Sequence, residues 1–212
     1  MPLRVVIRRD KTISPFKKIL DQLITLPQGD TLLLCSGYIW EPPSSKKSYR
    51  VLDDGLLNAI NSGCKGCNII TVAGKFNEGY WEDYYKNFIG RIRGTGIPVT
   101  PFVATQRNWH AKIAMKLENG VPIAAIVGSS NLTSPAYQEG YENWNFESDV
   151  LIWNPGLNLN NYFRSSNDLS QDGIGLFDVI LDPEVNQMNE LEQMRGLYND
   201  IFEKDNIERY DG

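Results

Sequence analysis

Apolar and polar positions alternate along this chain with two different periods. Leu3 to Ile7 has the period-two pattern of a short strand, whereas "FKKILDQLITL" (Phe16–Leu26) repeats its apolar residues at helical spacing. Ser14-Pro15 before it supplies an N-cap and a first helical residue. Unbroken apolar runs then predict buried strands in "TLLLCSGYIW" (Thr31–Trp40), "CNIITVAG" and "IPVTPFV". Between them lie a helix over Asp53–Ser62, stopped by Gly63, and a helix in "YWEDYYKNFIGRIRGTG" with a basic last turn and a glycine stop. "EPPSSKKSYR" is a loop carrying Lys46, Lys47 and Arg50. Later come a strand in "FESDVLIW", a loop over Asn154–Asp172 and a short strand in "LFDVIL". Pro183–Glu203 is an acidic amphipathic helix.

Strands alternating with helices predict an α/β fold, a mixed β-sheet flanked by helices on both faces. The length suits a single domain over 1–212, ending in an acidic helical segment at about 183–206. No segment repeats another.

Composition narrows the class. With 42% hydrophobic and 22% charged residues the chain is an ordinary globular one rather than a disordered one. No apolar run reaches the ~18–20 residues of a membrane span, so no membrane partner is expected. The N-terminal "MPLRVVIRRDKTI" is too short in apolar residues for a signal peptide, and three cysteines do not suit a secreted disulfide framework; both point to the cytoplasm. The net charge of −5 conceals a split: residues 1–117 hold 17 Lys/Arg against 9 Asp/Glu, and residues 118–212 hold 4 against 17. A basic half can give one face a positive field toward a polyanion, or be an uneven solvated surface.

The chemistry concentrates around the only histidine, in "NWHAKIAMK". If this segment is a strand, His110, Lys112, Ala114 and Lys116 share one face, and Ala111, Ile113, Met115 and Leu117 share the other. Asn119-Gly120 next is a hairpin signal, because a type I′ turn needs positive φ at both central residues. Uninterrupted pairing from that turn sets Lys112 opposite Val127 and His110 opposite Ser129. "GSSN" (Gly128–Asn131) thereby comes beside the histidine. His110 offers a nucleophile or acid, Lys112 a fixed positive charge, and Ser129 and Asn131 uncharged donors. Gly128 would let a ligand approach the backbone. Ser134-Pro135 would cap a short helix favourable to an anion. Glu147, on the next strand, could orient an imidazole. Such a group suits a phosphate.

His110-x-Lys112 followed by Gly128-Ser129-x-Asn131, with Asn145-x-Glu147 downstream, resembles the signature of the phospholipase D superfamily. The usual form has an Asp five residues after the lysine; here Leu117 stands there, as in members resembling metal-independent restriction endonucleases. The resemblance implies a mixed sheet between helical layers and a metal-independent phosphodiesterase working through a covalent phosphohistidine, without cofactor. His110, Lys112, Asn131 and Glu147 would be catalytic, with Lys112, Ser129 and Asn131 binding the phosphate. A DNA endonuclease of restriction or defence type is the expected activity, with an RNA or phospholipid phosphodiesterase, or a non-catalytic nucleic-acid-binding module, as alternatives. The family mechanism needs two histidines. One histidine and no repeat therefore imply a homodimer sharing one active site on its two-fold axis.

Other features have plainer explanations. Cys64-x-x-Cys67 lacks enough partners for a zinc site and suits a helix-to-strand turn. Tyr38 and Trp109 could stack on a base or pack.

Overall fold

A computed structural model describes residues 2–43, 50–75, 79–105, 109–159, 162–163, 177–180, 190–203 and 206–211. The strands are β1 (Pro2–Arg8), β2 (Thr31–Ser36), β3 (Asn68–Ala73), β4 (Val99–Ala104), β5 (Lys112–Glu118), β6 (Val121–Gly128), β7 (Glu147–Trp153), β8 (Phe177–Ile180) and β9 (Ile207–Arg209). The helices are α1 (Pro15–Ile24), α2 (Asp54–Gly63), α3 (Trp81–Arg93), α4 (Ser134–Tyr137) and α5 (Glu190–Ile201). All nine strands form one sheet in the order β8-β1-β7-β6-β5-β2-β3-β4-β9. β2, β3 and β4 run parallel, joined by helical crossovers, and every other neighbour pair is antiparallel. The mixed sheet with helices on both faces is as the sequence pattern predicts.

The two faces bury separate cores. On one, Phe16, Ile19 and Leu23 of α1, Leu56 and Ile60 of α2, and Phe88 of α3 pack over Leu34, Ala114, Ile126 and Leu151. On the other, Met194 and Ile201 of α5 pack over Leu33, Ile113, Met115 and Ala125. β5 is therefore buried on both faces, which corrects the expectation of one polar face. Lys116 is completely buried, and its ammonium donates to the carbonyls of Ile24 and Gly63, each at 3.1 Å. It also lies 3.6 Å from Cys67 Sγ and 3.9 Å from Cys64 Sγ. The Cys-x-x-Cys turn thus surrounds a lysine ammonium, and burial raises the Cys64 thiol to about 12.

Side-chain caps start the first two helices. Ser14 caps α1 by accepting from Lys17 N at 3.2 Å, and Asp53 caps α2 by accepting from Leu56 N at 2.8 Å. Gly63 is still helical; a Cβ there would lie 2.3 Å from the Ile24 carbonyl oxygen, so its lack of a side chain serves the close packing of α1 on α2. β9, three residues pairing with β4, has no counterpart in the sequence reading. Part of the expected loop, 160–161 and 164–172, and the start of the acidic helix, 183–189, lie outside the described residues, as do Lys46 and Lys47. Among the described residues, no helix is long and apolar enough to cross a membrane.

Candidate active site

The hairpin forms as its turn residues require: Asn119 has φ 52° and Gly120 φ 75°. Glu118 pairs with Val121 and Leu117 with Pro122, but Lys116 then pairs with Ala124. Ile123 is an extra residue, a bulge next to a proline that cannot donate to the ladder. The register beyond it is shifted by one, so Ile113 faces Val127. Continuing it by one place sets Lys112 opposite Gly128, one place from the uninterrupted pairing; His110 precedes β5 and Ser129–Asn131 follow β6, so the ladder itself does not pair them.

That shift assembles one rung across the sheet. Ser36 pairs with Lys112 and with Ala73, and Gly128 pairs with Asp149. Ser36, Lys112, Gly128 and Asp149 thus stand side by side on the face that carries α1. His110 lies two residues before Lys112 and is exposed, and Glu147 lies two residues before Asp149 and is buried. The Lys112 ammonium donates to the His110 carbonyl at 2.6 Å, tying the chain that carries the histidine to the strand. Partial burial lowers the Lys112 pKa, and the nearby Glu147 carboxylate opposes that.

The turn after β6 is held from within. Ser130 is buried, and its Oγ and N–H donate to the two oxygens of Asp149, at 2.7 and 3.2 Å. Ser129 N–H donates to the Ser148 carbonyl at 3.0 Å, and its Oγ donates to Glu147. Glu147 also accepts from Asn145 Nδ2 at 3.1 Å, so Ser129 and Asn145 occupy its two oxygens. Asn131 Oδ1 accepts from Tyr38 N–H at 3.0 Å and from Ser36 Oγ at 3.3 Å, which fixes the plane of the amide and leaves its NH2 as the group to offer a ligand.

Two sequence expectations change. Gly128 does not open the backbone to a ligand: a Cβ there would lie 2.1 Å from Asp149 Oδ1 and 2.7 Å from the Ser148 carbonyl, so the glycine makes room for Asp149. The helix after the turn begins at Ser134 with Thr133 as N-cap, and both are buried, so its N-terminus faces protein rather than an anion. Leu117 sits beside the hairpin turn and is fully buried, far along the strand from His110.

Neighbouring side chains sort by face. Trp109 packs with the α5-side core, alongside Ala111. Burial pushes the nearby Cys35 thiol up to about 12, so it is inert as a nucleophile. Arg50 lies 4.0 Å from the fully buried Glu41, which Arg91 also pairs at 2.5 Å; this is a structural ion pair. Arg8, opposite Glu147 in the β1–β7 ladder, donates to the carbonyls of Pro135, Ala136 and Gln138 and so anchors the segment after the turn. Sequence reasoning passed over Ser36, Gly37 and Asp149. The available signal for the first two was the small pair ending a wholly apolar strand in "TLLLCSG".

Neither a protein-family model nor a curated protein matches the chain. Solved structures do. Phosphatidylserine synthase from Haemophilus influenzae matches at TM-score 0.50 and 12% identity, covering 94% of this chain and 45% of the synthase. The fold is phospholipase D-like. Polyphosphate kinase from Porphyromonas gingivalis matches at TM-score 0.48 and 14% identity, over 80% of this chain and 26% of the kinase. NucT from Helicobacter pylori matches at TM-score 0.45 and 11% identity, over 78% of this chain and 95% of NucT. The chain spans about a quarter of the kinase and under half of the synthase. At these identities the likeness extends to the fold alone.

Proposed function

We propose that this chain is a metal-independent phosphodiesterase, a DNA endonuclease of restriction or defence type that acts as a homodimer. The observation that carries this reading is the rung joining Lys112 to Gly128 and Asp149, with His110 at its open end and Asn131 fixed beside it. Lys112 supplies a positive charge and the Asn131 NH2 a neutral donor, both suited to the oxygens of a phosphodiester. His110 attacks phosphorus, forming an N–P bond as the bond to the leaving oxygen breaks. The second copy's His110 gives that oxygen its proton, then takes one from the water that breaks the N–P bond. Splitting one displacement into two is ordinary covalent catalysis.

An aromatic row favours a nucleic-acid substrate. Tyr38, whose N–H holds Asn131, lies 5.9 Å from Trp40; Trp40 lies 5.1 Å from Tyr84, and Tyr84 lies 5.3 Å from Tyr80. The row runs from the phosphate-facing amide to Tyr80, which is 42% exposed at the start of α3. Tyr84 is buried and only ties the row together, while Tyr38 and Trp40 are half-buried and Tyr80 is open; bases stack on open rings whatever their sequence.

Plasmid DNA incubated in EDTA with wild type and with His110→Ala tests the reading. Cleavage by the wild type alone is expected. Cleavage abolished by EDTA overturns the mechanism, binding without cleavage by either protein points to a non-catalytic module, and turnover of RNA or phospholipid vesicles alone reassigns the substrate. Sedimentation should find a dimer; a monomer with full activity overturns the shared site.

A further inference from the structure

Asp149 belongs to none of the motif pieces, yet it is the most elaborately accommodated side chain near the turn. It is 2% exposed. Gly128, its partner in the β6–β7 ladder, has no room for a Cβ because the Asp149 carboxylate fills that space. Its two oxygens take both donors of one residue, Ser130 N–H and Ser130 Oγ. Ser130 is the buried member of the turn, while Ser129 is exposed and Asn131 half-buried. Neighbours along an extended stretch point opposite ways, so pinning Ser130 inward turns Ser129 and Asn131 outward. Burial pushes the Asp149 carboxyl up to about 6, with the Glu147 charge adding to the rise and the Ser130 donors opposing it. At neutral pH it is therefore ionised and accepts both bonds.

We propose that Asp149 is a positioning residue of the phosphate site: through Ser130 it sets the direction in which Asn131 presents its amide NH2 to a tetrahedral or pentacoordinate oxyanion. This rests on the phosphodiesterase reading above, which supplies the oxyanion. Asp149 itself touches no reacting atom. It replaces the freedom of a four-residue turn with a fixed geometry, which is how outer partners raise the effectiveness of the groups that meet the substrate.

The test titrates orthovanadate, a pentacoordinate phosphoryl analogue, into wild type, Asp149→Ala, Asp149→Asn and Ser130→Ala by calorimetry. Turnover of bis(4-nitrophenyl) phosphate in EDTA and thermal unfolding are measured alongside. Asp149→Ala should weaken vanadate about tenfold or more at unchanged stoichiometry, as expected for loss of charge-assisted hydrogen bonds. Asp149→Asn should recover to within about threefold, because an amide can accept from Ser130 N–H and donate to Ser130 Oγ. Stoichiometry separates positioning from mere support of the fold: lost folded protein lowers the number of sites and leaves their affinity intact. Wild-type affinity in Asp149→Ala, or fewer sites of wild-type affinity, overturns the proposal. If Asp149→Ala does not fold, Ser130→Ala decides: weaker vanadate binding supports the proposal, and wild-type affinity overturns it. If the wild type binds vanadate but cleaves no diester, the phosphodiesterase reading falls while the affinity comparison still decides on Asp149. If the wild type binds no vanadate, both fall.

Discussion

Gly74 and Gly37 meet backbone to backbone: a Cβ on Gly74 would stand 2.4 Å from the Gly37 carbonyl oxygen. The carbonyl of Trp109 closes the same junction, at 3.1 Å from that Cβ and 2.9 Å from one built on Gly37. A Cβ on Gly37 would also lie 3.3 Å from His110 Cα and 3.5 Å from Asn131 Oδ1. Three chain segments leaving β2, β3 and the entrance to β5 are thus in van der Waals contact, and His110 is carried by the last of them. Gly37→Ala should displace the histidine segment and reduce kcat for a small diester by about tenfold to a hundredfold, the penalty of a misplacement on the order of 1 Å. Steady-state kinetics with a thermal melt will separate this from unfolding.

Lys116 fills its cage with four partners and no carboxylate among those described. Lys116→Met keeps the volume but leaves the buried Ile24 carbonyl without the ammonium donor and the Gly63 carbonyl with only the Cys67 thiol, 3.9 Å away. A buried group left unpaired costs about 1–3 kcal/mol, so a loss of about 1–4 kcal/mol is expected in urea denaturation. Because the cage is at the turn end of β5, the folded variant should keep its turnover.

Burial raises Asp149 and Asp21 from an ordinary 3.8 to about 6. The folded chain therefore takes up protons that the unfolded chain does not between about pH 4 and 6, and its stability falls as pH rises through that window. Asp149→Asn should make the fall shallower without abolishing it, since Asp21 still titrates. Urea midpoints at intervals from about pH 4.5 to 7 measure this; a slope equal to wild type contradicts the burial of Asp149.

Tyr80 is the exposed end of the aromatic row. Tyr80→Ala should weaken binding of an oligodeoxythymidine by about 5- to 30-fold, the loss of roughly 1–2 kcal/mol of stacking, and Tyr80→Phe should restore it. Fluorescence anisotropy in EDTA reads the affinity.

Where the sequence was legible, one local rule decided the outcome. Asn119-Gly120 permitted only a tight turn, and the turn forms, whereas His110 precedes β5, so strand alternation does not set its direction. The bulge at Ile123 was not legible, because whether Pro122 displaces the ladder depends on the strand beside it. Lys116 misled because a lysine on a strand usually reaches water, and only the helix ends at Ile24 and Gly63 give it somewhere else to donate. Asp149 was hidden for a different reason. Its role comes from pairing with Gly128 and from the direction of Ser130, neither of which its own neighbours in the chain record. β9 is too short to carry a pattern at all.

The place of β1 has a consequence for biosynthesis. Its partners are β7 and β8, made far later, while β2, β3 and β4 can pair in the order they emerge. During synthesis the β1 segment must wait until β7 and β8 have left the ribosome. Arg8 waits with it, so the carbonyls of Pro135, Ala136 and Gln138 are claimed only once β1 joins β7. The segment behind Asn131 is therefore locked only after β7 has joined β1, later than the parallel strands pair.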